Sequence, residues 1–93
     1  MCQYELTVIF PVEEDQYRPG REKLLADLGN NGVEILKTDE IGDKDLAYEV
    51  KKRKRGKYVL FTLKVDPAKI VTLDRIFKIN TNILKYLFVK KED

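Results

Sequence analysis

Apolar and polar residues alternate along much of this chain, and the period of the alternation changes from two to a helical spacing and back. In "YELTVIF", residues 4–10, Tyr4, Leu6, Val8 and Phe10 share one side while Glu5, Thr7 and Ile9 share the other. That pattern predicts a strand, closed by Pro11. "YVLFTLKV", residues 58–65, behaves the same way: Val59, Phe61, Leu63 and Val65 face one side, and Tyr58, Leu60, Thr62 and Lys64 the other. "VEILKTDEIGDKDLAYEV", residues 33–50, reads as a further extended segment, with Gly42 marking a bulge or bend. "ILKYLFV", after a turn at "NTN" in residues 80–82, is the last predicted strand.

Two stretches take helical spacing instead. Leu24, Leu25 and Leu28 lie on one helical face, stopped by Gly29-Asn30-Asn31-Gly32. This helix is expected to begin before Pro19, with the proline in its first turn, because proline is tolerated there and not deep inside. Ile70, Leu73, Ile76 and Phe77 define the second helix, opened by Asp66 as cap and Pro67 in the first turn. The order is β-α-β-β-α-β, without linker or repeat, and residues 1–93 are expected to form a single domain. The fold class is α+β: two helices on one face of a four-stranded antiparallel sheet, the ferredoxin-like arrangement. Its other sheet face is left for a partner, with Ile9 and Leu60 on that side.

Composition narrows the chemistry. The chain is 43% hydrophobic and 37% charged, which suits a modest core under a polar surface. No apolar run reaches the ~20 residues of a membrane span. "MCQYELTVIF" has neither basic leader nor small-residue cleavage site, so no signal peptide is expected. Cys2 is a single cysteine, which suits a reducing cytosol, and there is no histidine. The commonest general base and the commonest metal ligand are therefore missing, and neither cofactor nor metal is expected. Nor is there a glycine-rich phosphate loop, a nucleophile elbow or a His/Cys pair. Acylphosphatase-type enzymes share the element order, but their phosphate-binding loop with its arginine is absent. The chain is expected not to be an enzyme and to take no small-molecule substrate.

The net charge of +2 conceals an asymmetry. Residues 1–50 hold five Lys/Arg and twelve Asp/Glu; residues 51–93 hold thirteen and four. A basic surface facing a polyanion is the reading this supports. Its centre is "KKRKRGK", where Lys51, Lys52, Arg53, Lys54, Arg55 and Lys57 crowd six cations into seven residues. They are expected in a connection between strands, as flexible phosphate-facing cations. An RNA-recognition motif would place stacking rings in the third strand, whereas "RGKYVLFT" puts Lys57 and Val59 there. Backbone recognition of RNA remains.

The chain resembles the bacterial small-subunit ribosomal protein S6 family. The resemblance rests on "YELTVIF", on Gly42 followed four residues later by Leu46-Ala47-Tyr48, on the strand-to-helix passage "YVLFTLKVDP", and on "FKINTNILKYLFVK". It covers nearly the whole chain in order. It departs from the family at Cys2 and Gln3, where basic residues are common, and at Lys44-Asp45, where an arginine pair is common. It departs again at Glu49, where proline often follows the tyrosine. The resemblance implies the same fold and a structural role: binding the central domain of small-subunit rRNA together with ribosomal protein S18, in the cytoplasm, with no membrane. It adds Lys44, Lys78, Lys85, Lys90 and Lys91 to the RNA-binding candidates, and Tyr48 as a contact to rRNA or partner. The partner protein is expected at the open sheet face and the second strand. Two rival readings are a ferredoxin-like RNA binder outside the ribosome and an acylphosphatase-type enzyme.

Overall fold

The computed structural model describes residues 2–91. Strands β1 (Cys2–Phe10), β2 (Glu34–Val50), β3 (Arg53–Val65) and β4 (Lys85–Lys90) form one antiparallel sheet in the order β2-β3-β1-β4. Helices α1 (Glu14–Asn30) and α2 (Pro67–Lys78) complete the βαββαβ chain. The ferredoxin-like architecture expected from the alternation is the one observed.

The core lies between the sheet and the helices. Leu6, Val8 and Phe10 of β1 and Val59, Phe61, Leu63 and Val65 of β3 are buried, against Leu24 and Leu28 of α1 and Leu73 and Phe77 of α2. The two central strands pair with Leu6 opposite Phe61 and Val8 opposite Val59, which puts both apolar sets on one side. Slipping this register by one residue would turn every one of these side chains toward solvent. α2 starts where Asp66 Oδ1 accepts from the Ala68 N–H at 3.0 Å, with Pro67 in the first turn, as its sequence requires.

Two elements run further than expected. α1 begins at Glu14, so Pro19 stands inside the helix rather than in its first turn. The helix carries on around a residue that donates no backbone hydrogen bond, with Leu24 and Leu28 fixing its later turns in the core. β3 begins at Arg53, so the basic run is not a connection: only Lys51 and Lys52 turn the chain, and the next four cations lie in a strand. Lys51 and Lys52 hold φ of 49° and 65°, the left-handed pair that a two-residue hairpin turn demands. Such turns usually contain Asn and Gly, because β-carbons are disfavoured there.

Candidate nucleic-acid interface

The basic end of the molecule is built by β2 and β3 running past the end of β1. β1 stops pairing with β3 at Phe10 opposite Lys57, while β2 and β3 continue to their turn. In this extension Asp45 faces Arg55 and Val50 faces Arg53. Four residues of β2, Leu46 to Glu49, thus stand opposite Lys54 alone. Gly42, at φ 105°, sits at an earlier register shift, the bend expected from the sequence. The larger bulge at Leu46–Glu49 left no proline or glycine to betray it.

This bulge folds over the sheet face that carries no helix. A Cβ on Gly56 would collide with Ile9 Cγ2 and come within 3.4 Å of Leu46 Cδ2, so the bare glycine lets these side chains close over it. Ile9 is consequently buried, although it points away from the helices. On this face Leu87 and Val89 of the edge strand β4 are exposed, whereas Ile9 is covered. A shallow hollow of about 180 Å³ lies beside them, lined by Thr7, Ile9, Lys85, Tyr86 and Leu87. Tyr48, at the outer part of the bulge, is 61% exposed, and its hydroxyl accepts a hydrogen bond from Lys85 Nζ on β4.

The six cations of the run divide into two groups. Arg53 donates to Glu13 Oε1 and to Gln16 Oε1, both at 2.7 Å, where the chain enters α1. Lys57 places its ammonium 4.3 Å from the centre of the Tyr17 ring on the same helix. Arg55 pairs with its cross-strand neighbour Asp45 at 3.3 Å, an exposed contact. Lys51 reaches across the sheet end and donates to the Ile83 carbonyl at 2.9 Å. Lys52 and Lys54 are exposed and make no ion pair or side-chain hydrogen bond among the described residues, and the same holds for Lys44. By the alternation of β3, Lys54 shares the helix-free side with Gly56 and Tyr58. Lys44, opposite Gly56, joins it there.

The remaining candidates are dispersed. Lys78 is exposed and pairs with Asp74 at 3.0 Å one helical turn back. Asp74 also accepts from the Tyr86 hydroxyl. That bond first, and Lys78 second, hold its carboxyl below the ordinary value. Lys90 and Lys91 are exposed at the far end of β4, opposite Tyr4 and Gln3 of β1 and remote from the turn. The structure thus gathers Lys44, Tyr48, Lys52, Lys54 and Lys85 at one end and separates Lys90 and Lys91 from them.

A polar cluster between α1 and β2 went unnoticed in the sequence. Arg21 donates to Glu40 and to the Tyr17 hydroxyl. Burial opposes the Arg21 charge, but these two hydrogen bonds outweigh it and keep its pKa above the ordinary value. The residues are 19 and 4 positions apart, so only the fold brings them together. Its charges are mutually satisfied, which makes it a brace between helix and edge strand. Among the described residues no group of three or more His, Cys, Asp or Glu is placed to hold a metal, and no helix is long and apolar enough to cross a membrane.

Comparison with known proteins agrees with this architecture. The family model described as ribosomal protein S6 matches residues 3–90. The small ribosomal subunit protein bS6 of Treponema denticola is 52% identical over 93 residues, covering both chains entirely. That of Treponema pallidum is 38% identical over 90 residues and 97% of each chain. The crystal structure of 30S ribosomal protein S6 from Thermotoga maritima superimposes with a TM-score of 0.86 at 20% identity, covering 97% of this chain and 87% of that one. The P2 domain of the chemotaxis kinase CheA, also from a Thermotoga, reaches a TM-score of 0.66 at 12% identity. The last two likenesses speak to the fold alone, and the fold by itself does not fix function.

Proposed function

The chain belongs to the ribosomal protein S6 family, and from that membership we propose that it binds small-subunit rRNA in the central domain together with ribosomal protein S18. Membership makes it a component of the small ribosomal subunit and not an enzyme. In the proposed reading it works on ribosomes in the bacterial cytoplasm. Lys44, Lys52 and Lys54 hold rRNA phosphates, and Lys85 and Tyr48 complete the surface. Lys51, Arg53, Arg55 and Lys57 add to the local positive field while spending their direct contacts inside the protein. Lys78, Lys90 and Lys91 serve as outlying contacts. S18 meets the helix-free face along β4 and β1, where Leu87 and Val89 are exposed, and the edge of β2.

One observation carries the RNA reading. Lys44, Lys52 and Lys54 project from the same end with no acidic partner among the described residues, although the chain has nearly as many carboxylates as cations. Cations kept together against their own repulsion require a polyanion or solvent to take them. Phosphate contacts give affinity that falls steeply with salt and ignores base identity.

The test is a titration of a labelled central-domain rRNA fragment at several salt concentrations, with and without S18. Changing Lys44, Lys52 and Lys54 together to Gln is expected to flatten the log-log salt slope by about 2–3, since each phosphate contact releases roughly 0.7–0.9 of a counterion. S18 is expected to tighten binding by the wild-type protein. An unchanged slope would remove the three lysines from the interface. Equal affinity with and without S18 would overturn the paired reading.

A further inference from the structure

Tyr48 is an unusual residue to leave in the open. A large aromatic side chain normally buries its ring, and here 61% of it is exposed. The exposure is built. Four residues of β2 stand against one of β3, which lifts the Leu46–Glu49 segment off the regular ladder. Leu46 turns inward over Gly56 and anchors the bulge, while Tyr48 turns outward. Bulges of this kind commonly re-aim a side chain beside a functional site.

The ring is also oriented. Lys85 Nζ donates to the phenolic oxygen and lies 4.9 Å from the ring centre. A cation bonded to the hydroxyl at that distance sits at the ring's edge, beyond the oxygen, and not against a face. Lys85 therefore fixes the direction of Tyr48 without covering the π-surface. Lys85 is itself held in the sheet, opposite Ile9 of β1. The Lys51 bond to the Ile83 carbonyl ties the turn to the chain just before β4. Both ends of the bulge are thus braced, and the side chain is preorganised before any ligand arrives.

The chemistry around the ring selects its occupant. Lys44 and Lys54 lie on the same side, Lys52 projects from the adjoining turn, and Lys85 stands at the ring edge. An exposed aromatic ring with Lys85 at its edge, and Lys44, Lys52 and Lys54 at the same end of the sheet, matches a nucleotide whose base is unstacked and whose phosphates lie beside it. We propose that Tyr48 is a stacking platform for one unpaired RNA base, presented by the Leu46–Glu49 bulge, oriented by Lys85 and flanked by the phosphate-holding Lys44, Lys52 and Lys54. This inference rests on the rRNA-binding reading above and assigns it a single-stranded or bulged element as the ligand class. Tyr48 supplies preference for unpaired over paired RNA, and the lysines supply salt-dependent affinity.

The experiment uses the full chain with two probes: a short single-stranded RNA carrying 2-aminopurine, and a duplex of the same length. Three proteins are compared, wild type, Tyr48→Phe and Tyr48→Leu. Tyr48→Leu is expected to weaken single-strand binding roughly 5- to 150-fold, the range found when one base–aromatic stack is removed, and to abolish the quenching of 2-aminopurine. Duplex binding and the salt slope are expected to stay as in wild type, because no phosphate contact is lost. Tyr48→Phe, which keeps the ring and loses the Lys85 bond, is expected to retain quenching. Coincident thermal melts show that the variants fold. If wild type binds single-stranded RNA and Tyr48→Leu binds it equally, the platform is overturned while the rRNA reading stands. A Tyr48→Leu loss confined to S18 binding, or equal on single strand and duplex, also overturns it. If wild type binds neither probe nor the rRNA fragment, the rRNA reading itself fails.

Discussion

Between Val59 and Val65, every second residue of β3 is apolar and buried against the helices; between Arg53 and Lys57, every second residue is a cation on that same side. The strand, the face and the period are common to both halves. Only the chemistry differs. The inner half fills a core with Val59, Phe61, Leu63 and Val65, and the outer half bonds to the start of α1 through Arg53 and Lys57. The difference teaches that a strand outlasts its hydrophobic pattern when another set of alternating side chains finds partners on one side. It also teaches that a charge run is not uniform. In the outer half odd-numbered positions hold the protein together, and even-numbered Lys54 faces outward beside the turn.

The comparison breaks most severely at the inner half. Phe61→Asp would place an unpaired carboxylate at a fully buried position, at a cost of several kcal/mol against a total of about 5–15. Loss of the cooperative thermal transition is expected, and a melt like wild type would mean that the buried face has been misassigned. Gly56→Ala comes next, at the boundary between the halves. Its Cβ would collide with a methyl of buried Ile9, and overpacking of this type costs about 1–3 kcal/mol. Urea midpoints would reveal it, and no change would mean that Leu46 and Ile9 are loosely packed over the glycine.

Arg53→Ala tests the outer half directly. It removes two hydrogen-bonding partnerships of a half-buried guanidinium, and about 1 kcal/mol of stability should go with them. Lys54→Ala, one residue along, should change stability by less than about 0.5 kcal/mol. Equal effects of the two would erase the proposed division of the basic run.

A subtler probe lies outside β3, on the edge strand β4. Tyr86, Phe77 and Lys51 line a hollow of about 270 Å³ under the turn. Burial, and then its hydrogen bond to Asp74, push the Tyr86 hydroxyl up to about 12. An unfolded tyrosine ionises near pH ~10, so the contribution of this group is intact below that pH. It disappears as the pH rises toward ~12, because the unfolded state then releases its proton first. Denaturant titrations at about pH 9 and about pH 11 should show a loss for wild type that Tyr86→Phe lacks. Parallel pH profiles would mean that Tyr86 ionises in the folded protein as it does in the unfolded chain.

Legibility in the sequence followed the same line. The alternation of apolar residues delivered β1, the inner half of β3 and the whole βαββαβ order, because burying one face of a sheet imposes a period of two. Asp66-Pro67 announced α2 because capping is local chemistry. What escaped notice depended on distant partners. Arg53 belongs to a strand because Glu13 and Gln16 wait across the fold, and Arg21 meets Glu40 only through tertiary structure. The bulge at Leu46–Glu49 is set by Ile9, Gly56 and Lys85, none of which is a sequence neighbour. The six basic residues are plain in the sequence, but their separation into bonded and exposed groups is set by tertiary partners.

The position of β1 has a consequence for how this protein comes into being. β1 is central in the sheet, yet Phe10 pairs with Lys57, Cys2 with Val65, and Ile9 with Lys85. A ribosome synthesising the chain at ~5–20 residues per second releases β1 seconds before either neighbour exists. During that interval Leu6, Val8 and Phe10 have no sheet to join. β2 and β3, adjacent in sequence and joined by a two-residue turn, can zip together in microseconds, whereas β1 must close much longer loops. Assembly is therefore expected to begin at the hairpin that carries the basic end and to finish with the strand that was made first.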